Sequence, residues 1–322
     1  MVWLWWKKWA NAVVLNDKNG DVTKDNILAY YVWIPRYEYK TGFLPGEGNE
    51  EAIEINFIGK DVIDASDDEH IIPPGFTFWD TDLSGIWVAK FEPSYSDTSV
   101  NGEGFTCDNE TCSPGNNIRI LPGVTSLKYI SVSTSFYISR SLEKSYDIEG
   151  NSHMMKNSEW ATAAYLSHSK YGKNSEVLIN SNSSYITGGG TGEAYVSNVS
   201  QSTTGNITGI YDMSGGSWEY TMSSYGTNEN TVGKGLSGFS NLPESKYYDI
   251  MYKADTLLGH AMSETVSWYG DFHYYVISST PWIIRGGSGY STSYDAGLFN
   301  FSCFSGCGFS AFSFRPVFVP AE

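Results

Sequence analysis

The sequence predicts an α+β fold that is rich in loops, and three observations lead to that prediction. Gly and Asn recur roughly every ten residues, which favours short strands joined by long connections. One segment, NSEWATAAYLSHSKYG, has the capping residues and the spacing of a helix. Aromatic residues make up 16% of the 322 residues and charged residues only 17%, so the chain has ample apolar area to bury.

Two aromatic and β-branched segments are predicted to be strands. They are AYYVWIPRYEY (Ala29–Tyr39) and GIWVAKFE (Gly85–Glu92). Upstream of the first, Asn19 and Gly20 lie between apolar runs and predict a hairpin turn.

The same turn region resembles the start of a calcium-binding loop, with Asp17, Asn19 and Asp21 at alternate positions. However, Val22 stands where such a loop needs Gly, and Leu28 where it needs Glu. The turn interpretation is therefore preferred.

The clearest helix is predicted over residues 157–172. Asn157 or Ser158 is suited to cap it, Glu159 favours the positive end of the helix dipole, and Gly172 is suited to end it. A second helix is predicted over Leu127–Leu142.

The domain organisation predicted is one core domain with an N-terminal elaboration, because no linker clearly divides the chain. Residues 1–120 are expected to form strands and loops that pack on the core, and residues 121–322 are expected to form the core itself.

The net charge of −16 makes nucleic acid an unlikely partner, since phosphate binding needs clustered Lys and Arg. The apolar residues 1–6 are interrupted by Lys7 and Lys8, and nothing later is long enough to span a bilayer, so this segment is not expected to insert into a membrane. Display at a surface would then depend on a segment upstream.

The four cysteines form two close pairs, Cys107 with Cys112 and Cys303 with Cys307. Each pair is compatible with a short disulfide loop in an exported protein, or with free thiols. A zinc site is disfavoured because neither spacing is CxxC and no His lies near either pair.

Catalytic motifs are not visible in the sequence. The five histidines make no HxH or HExxH pattern, and a GxSxG elbow, a phosphate loop and a dinucleotide fingerprint are all missing. Asp80 and Asp82 are interpreted as turn residues. The prediction is therefore a protein that is not an enzyme, with no catalytic residues, no metal and no cofactor.

Three C-terminal segments resemble a known fold family. GNITGIYDMSGGSWEY (Gly205–Tyr220), RGG (Arg285–Gly287) and SFRPV (Ser313–Val317) are similar to the core of the formylglycine-generating-enzyme (sulfatase-modifying-factor) type of C-type-lectin fold. This resemblance implies buried aromatic side chains at Trp218 and Trp282. It also implies that Arg285 and Arg315 donate to backbone carbonyls or carboxylates.

A closer resemblance is to the variable proteins of diversity-generating retroelements, in the group found in gut Firmicutes and their phages. The segments that carry it are WANAVVLN, YYVWIPRYEYK, GIWVAKFE, HMMKNSEWATAAYLSHSKYG, TTGNITGIYDMSGGSWEY and PWIIRGG with the tail to SFRPVFVP. In that family a reverse transcriptase rewrites adenines near the C-terminus. Rewritten AAY codons become NNY codons, which cannot encode Lys, Glu, Gln, Met or Trp.

Residue usage near the C-terminus agrees with that resemblance. None of those five residue types occurs from Ile283 to Phe318, although Ser, Gly, Tyr, Phe, Cys, Asp and Asn are interleaved there. The variable region is therefore placed at about residues 283–312.

The resemblance divides this region into framework and variable positions. The positions that match the framework are Trp282, Arg285, Gly286, Gly287, Ala296, Gly297, Phe301, Ser313, Phe314, Arg315 and Pro316. The candidate variable, ligand-binding positions are Ile284, Ser288, Gly289, Tyr290, Ser291, Tyr294, Asp295, Asn300, Ser302, Cys303, Phe304, Ser305, Cys307, Gly308, Phe309, Ser310 and Phe312. The family's fold implies that these side chains share one solvent-facing surface.

The function implied is recognition of a protein or glycan ligand on a cell surface, by a receptor-binding protein or adhesin displayed on a cell or a phage virion. The alternative is a copper-dependent oxidase of the formylglycine-generating type that would use Cys303 and Cys307. A calcium-dependent sugar lectin is disfavoured because the EPN and QPD tripeptides are missing.

Overall fold

The computed structural model describes residues 7–42, 50–109, 112–252, 257–290 and 295–321. The helices are α1 (Val132–Tyr146), α2 (Asn157–Ser167) and α3 (Ala194–Ser197). The strands are β1 (Asn11–Leu15), β2 (Ile27–Pro35), β3 (Tyr37–Lys40), β4 (Ile55–Phe57), β5 (His70–Ile71), β6 (Thr77–Phe78), β7 (Thr81–Asp82), β8 (Gly85–Ala89), β9 (Ser94–Tyr95), β10 (Ile118–Arg119), β11 (Gly150–Met154), β12 (Trp218–Tyr225), β13 (Asp249–Met251), β14 (Trp282–Gly286), β15 (Gly297–Phe304), β16 (Phe312–Phe314) and β17 (Pro316–Pro320). The predicted α+β, loop-rich class is confirmed.

Two five-stranded sheets organise the fold. The first has the order β1-β2-β8-β17-β11, with antiparallel neighbours throughout. The second has the order β13-β12-β14-β15, and β16 adds to β12 in parallel. Strand β17 lies between β8 and β11, so the first sheet joins the start of the chain to its end. The division at residue 120 stays a prediction.

The aromatic strands are confirmed, with one interruption. The predicted segment 29–39 spans β2 and β3, which are separated at Arg36, and the segment 85–92 begins with β8. Arg36 is 2% exposed, and its Nη1 donates to the Phe76 carbonyl at 3.1 Å and pairs with Asp82 at 3.1 Å. This arginine therefore ties the start of the chain to the β6–β7 hairpin.

The predicted hairpin is present, but the two-residue turn at Asn19 and Gly20 is wrong. Strands β1 and β2 pair, and residues 16–26 connect them. Asp17 and Gly20 close a turn by a 3.0 Å backbone hydrogen bond inside that longer loop. Asn26 then holds the loop, since its side chain bonds to the Asp17 amide and carbonyl at 2.7 and 3.0 Å.

Helix α2 ends earlier and is capped differently from the prediction. The N-cap is Lys156, whose amide donates to Glu159 Oε2 at 2.8 Å. Asn157 does not cap because its side chain is turned to the His260 carbonyl, 2.9 Å away. The helix ends at Ser167, well before Gly172.

Helix α1 begins later than predicted and runs further, over Val132–Tyr146. Tyr129 has a left-handed backbone (φ 63°), which stops a helix from extending through it, and Ser131 is the N-cap. Upstream of α1, Cys107 and Cys112 form a disulfide, whereas Cys303 and Cys307 are free thiols.

The core lies on both sides of α2 and of the two sheets. Trp160 and Tyr165 of α2 are fully buried in one cluster, and Trp282, Tyr220 and Phe314 are buried in a second one on β12, β14 and β16. Within the described ranges, no helix is long and apolar enough to cross a bilayer.

Candidate functional site

The C-terminal segment forms the centre and the edge of the second sheet. Strand β14 pairs with β15 in a register that places Ile284 opposite Ser302 and Arg285 opposite Phe301. Strand β16 returns to the far side of β12, where Phe314 lies opposite Tyr220. The predicted variable positions are therefore distributed between strands with covered faces and the loops that join them.

Arg285 anchors this sheet from within. The side chain is fully buried, and its Nη2 donates to the Ala261 carbonyl at 2.9 Å while its Nη1 donates to the Asn300 carbonyl at 3.3 Å. The guanidinium lies 5.6 Å from the ring centroids of both Trp160 and Phe301. Burial lowers the pKa of Arg285 to about 9. The predicted role as a donor to backbone carbonyls is confirmed.

Arg315 plays the same part beneath β16. Its guanidinium forms a two-pronged ion pair with Glu219, with Nε 2.9 Å from Oε2. It also donates to the carbonyls of Ala89 (2.7 Å) and Tyr211 (3.0 Å). Both charged side chains are buried, and burial raises the pKa of Glu219 to about 7 although Arg315 opposes the shift. One arginine thus links β8, β12 and the end of β16.

The other framework positions are mostly as the resemblance implies. Trp282 is fully buried, and its indole N–H donates to the Lys234 carbonyl at 3.0 Å. Gly287 has φ 79°, and a Cβ there would come 2.3 Å from the Ala296 Cα, so only glycine fits. The expectation for Trp218 is wrong, because this side chain is only half-buried at the start of β12.

The candidate positions that reach solvent lie mainly in the loops. Tyr290 is 70% exposed and Phe309 is 50% exposed. The half-buried candidates are Asp295, Ser302, Phe304, Ser305, Cys307, Gly308 and Ser310. We call the surface formed by Tyr290, Phe309 and these half-buried residues the C-terminal surface.

Several candidate positions do not face solvent, which corrects the expectation of a single exposed set. The buried ones are Ile284, Ser288, Gly289, Asn300, Cys303 and Phe312. The physical reason is that β14 and the first five residues of β15 are covered on both faces. Ile284 and Phe312 join the cluster around Trp282, and Cys303 joins an apolar cluster with Met251 and Met262 on the other face.

Two glycine positions are also unsuited to variation in this conformation. A Cβ on Gly289 would come 2.4 Å from the Asn182 carbonyl oxygen, and one on Gly308 would come 2.1 Å from the Tyr129 carbonyl oxygen. Any other residue there requires the backbone to move. The candidates Ser291 and Tyr294 lie outside the described residues.

The structure adds three residues to the site that the sequence did not indicate. The Tyr185 ring lies 5.5 Å from the ring of Tyr290, and Lys128 Nζ lies 3.8 Å from the Tyr185 centroid. The next residue, Tyr129, donates its amide to the Phe309 carbonyl at 3.1 Å. Tyr290 is therefore connected to Phe309 through Tyr185, Lys128 and Tyr129.

Backbone geometry sets these tyrosines apart. Tyr129 and Tyr185 have φ values of 63° and 57°, in the left-handed region that bulky residues rarely occupy. Strained residues of this kind concentrate at functional sites. Burial, with a contribution from Tyr290, raises the pKa of Tyr185 to about 12.

An aromatic cluster supports the other end of the surface. Phe312 packs 4.8 Å from Phe304 and 5.3 Å from Phe309, and Tyr220 lies 5.2 Å away on its inner side. The Tyr220 hydroxyl donates to the Cys307 carbonyl at 2.9 Å, which fixes the loop that carries Phe309. The exposed Phe309 ring is therefore packed against the buried Phe312 ring, which in turn contacts buried Tyr220.

The two free thiols have separate surroundings. Cys303 Sγ lies 3.0 Å from Thr280 Oγ1, and burial raises the pKa of the thiol, which disfavours the thiolate that metal binding requires. Cys307 Sγ accepts from Ser305 Oγ at 3.4 Å in the loop beyond β15. Among the described residues, no group of three or more His, Cys, Asp or Glu side chains is placed to hold a metal ion, and neither thiol belongs to one.

The histidines provide no nucleophilic constellation in the described ranges. His153 pairs with buried Glu159 at 2.8 Å, and His260 Nδ1 lies 3.9 Å from Asp249 Oδ2. His273 Nδ1 lies 3.4 Å from Ser267 Oγ. Among these contacts, no histidine joins a serine hydroxyl to a carboxylate, which is the arrangement that activates a serine.

Comparisons with known proteins give matches among solved structures. Treponema denticola variable protein 1 is 11% identical with a TM-score of 0.38, over 90% of this chain and 96% of that one. CarF is 12% identical with a TM-score of 0.38, over 90% and 99%. PvdO from Pseudomonas aeruginosa is 12% identical with a TM-score of 0.33, over 92% and 96%. No family model and no curated protein matches the chain.

The first of these structures is named a variable protein. At such identities and TM-scores, no residue role passes from these proteins to this chain.

Proposed function

We propose that the protein is a diversified binding protein that recognises a protein or glycan ligand on a cell surface through its C-terminal surface. The observation that carries the proposal is the separation of two residue sets. Exposed Tyr290 and Phe309 lie in loops, whereas Arg285 and Arg315 are buried in the framework, where they donate to backbone carbonyls of neighbouring segments. Exposed aromatic side chains supply contact area at little entropic cost.

The proposal includes rewriting of this surface by a retroelement. Its support is the lack of Lys, Glu, Gln, Met and Trp from Ile283 to Phe318, together with the loop positions of the exposed candidates. The test is to sequence the locus. We expect a near-identical repeat of this coding stretch beside a reverse transcriptase gene, differing only at adenines. A locus without the repeat would refute the rewriting.

The binding role is tested separately by a diversification experiment. Tyr290, Ser302, Ser305, Phe309 and Ser310 would be varied together with NNY codons, displayed, and selected against hen lysozyme as an arbitrary target. A control library would vary other exposed positions, namely Val22, Ile63, Leu178, Val196 and Ile207.

We expect lysozyme binders only from the first library, because its positions lie in the C-terminal surface and on a framework that buried residues hold in place. Equal yields from both libraries, or a first library whose members mostly fail to fold, would contradict the proposal. Display on a cell or a virion belongs to the same proposal, and fractionation of the source cells and phage particles would test it.

A further inference from the structure

The hairpin of β6 and β7 carries an exposed tryptophan at its tip. Trp79 and Asp80 are the only residues between the two strands, and Phe78 pairs with Thr81 across the turn. The Trp79 side chain is 59% exposed. This hairpin lies far along the chain from the C-terminal surface and takes no part in the proposed function.

The backbone of Trp79 is strained. Its φ is 62°, while Asp80 has no positive φ. A two-residue hairpin with one positive φ, at its first turn position, normally has glycine there. A large aromatic residue in that place costs stability through its backbone, and the exposed indole gains little from burial to offset this cost. Stability of the fold therefore gives no reason for tryptophan at this position.

The hairpin is held rigidly from below. Phe78 stacks on the His153 ring at 5.0 Å and meets the Tyr247 ring at 5.7 Å. On the other strand, Asp82 accepts from Thr77 Oγ1 at 3.0 Å and pairs with buried Arg36 at 3.1 Å. The backbone that carries the indole is thus held in place on both strands of the hairpin.

A cavity of about 420 Å³ opens beside the indole, within the size range of small-ligand sites. Phe78, Leu83 and Val319 supply its apolar wall, and Thr81, Asn151 and Lys246 supply polar groups. Asn151 donates to the Tyr247 hydroxyl at 3.1 Å, which leaves its amide a second N–H to offer. The site therefore combines a flat apolar ring with donors and acceptors at its edge.

The charges around the ring select against ionic ligands. Lys246 Nζ already lies 5.7 Å from the Trp79 ring centroid, in the position that a cationic ligand would take. Glu244 binds that ammonium at 3.0 Å, and the exposed Asp80 carboxylate is next in the chain. A carboxylate on each side disfavours an anion. A neutral ligand with one apolar face and a rim of hydroxyl groups fits best.

We propose that Trp79 and the adjacent cavity form a second binding site, for a neutral saccharide. The apolar C–H face of a pyranose ring stacks on the free face of the indole. Its hydroxyl groups exchange hydrogen bonds with the Asp80 carboxylate, the Asn151 amide and the Thr81 hydroxyl.

The test is calorimetric titration of the whole chain with maltohexaose, cellohexaose and N-acetylchitohexaose. The variants are Trp79→Gly, Trp79→Asn and, as controls at exposed apolar positions outside both proposed sites, Tyr252→Ala and Ile63→Ala. We expect saturable binding of at least one oligosaccharide. Loss of the stacked indole weakens it about tenfold or more. Trp79→Gly and Trp79→Asn melt no lower than the parent protein, because both residues tolerate a positive φ. The two controls keep saccharide binding unchanged.

Two results would overturn the site. One is no binding of any of the three oligosaccharides, and the other is equal binding by the parent and both Trp79 variants. Binding of phosphatidylcholine vesicles through Trp79 without saccharide binding would equally exclude the saccharide in favour of a lipid surface. Because the Trp79 variants leave the residues of the C-terminal surface unchanged, failure of the saccharide site is distinguishable from failure of the proposed function.

Discussion

Removal of the ion pair between Arg315 and Glu219 tests how much the buried framework contributes to the stability of the protein. The perturbation is Arg315→Met, which keeps much of the side-chain volume and removes the charge. It leaves Glu219 buried at 1% exposure without its cation and deprives the Ala89 and Tyr211 carbonyls of their donors. Breaking a buried ion pair from one side costs about 3–5 kcal/mol, so the free energy of unfolding should fall by about that much.

The assay is equilibrium unfolding in guanidinium chloride, with Arg119→Met as the matched control. Arg119 also donates to a carbonyl, that of Ile118 at 2.8 Å, but it is half-exposed on β10. The control should change stability by less than about 0.5 kcal/mol. The double variant Arg315→Met with Glu219→Met should recover most of the loss, because apolar replacement of a whole buried pair is often neutral.

Two results would refute a stabilising role of the buried ion pair. One is that Arg315→Met lowers the free energy of unfolding by less than about 1 kcal/mol, and the other is that the double variant is no more stable than the single one. The first outcome would mean that water reaches Glu219. The second would mean that the two bonds to backbone carbonyls matter more than the charge pair.

Three further outcomes are expected. Gly287→Ala should destabilise the protein in thermal unfolding by at least about 1 kcal/mol more than Gly192→Ala does. Both glycines have a positive φ, but only at Gly287 would the added Cβ clash, since it would lie 2.3 Å from the Ala296 Cα. Burial raises the pKa of Asp271 from its ordinary value of 3.8 to about 8. Between these two pH values the carboxyl group is protonated in the folded state and ionised in the unfolded state. The free energy of unfolding should therefore decline as the pH rises from about 4 to 8. Asp271→Asn should make this decline less steep when unfolding is measured across the same pH range. An equally steep decline in the variant would contradict the assignment to Asp271. Alkylation in denaturant without reductant should modify only Cys303 and Cys307, with two more thiols appearing after reduction; four reactive thiols at the outset would exclude the Cys107–Cys112 disulfide.

The sequence was informative where a residue's chemistry admits few environments. Arg285 and Arg315 were expected to donate to carbonyls or carboxylates, and both do. The aromatic strands and helix α2 were also predictable, since their apolar residues have to be buried. The ends of the helices were harder to predict. Asn157, for example, does not cap α2 because its side chain donates to the carbonyl of His260, about a hundred residues further along the chain.

The site could be predicted as a segment but not as a surface. Alternation along a strand normally separates inward from outward positions, but the first five residues of β15 are all buried, so Asn300 is as inaccessible as its neighbours. Alternation returns only at the end of the strand, where Cys303 is buried between half-buried Ser302 and Phe304. Tyr129 and Tyr185 escaped prediction for a different reason. They reach Phe309 and Tyr290 only through the tertiary fold, and no motif marks a residue that will adopt a positive φ.

These facts limit how the C-terminal surface can vary. A substitution at Tyr290 or Phe309 changes what is offered to solvent, whereas one at Ile284 or Phe312 alters the packing around Trp282 and carries a stability cost. A rewriting process that struck all candidate positions alike would therefore lose many variants to misfolding. It follows that the functional repertoire is smaller than the coding repertoire, and that surviving variants should differ most in the loops that carry Tyr290 and Phe309 and least within β14 and β15.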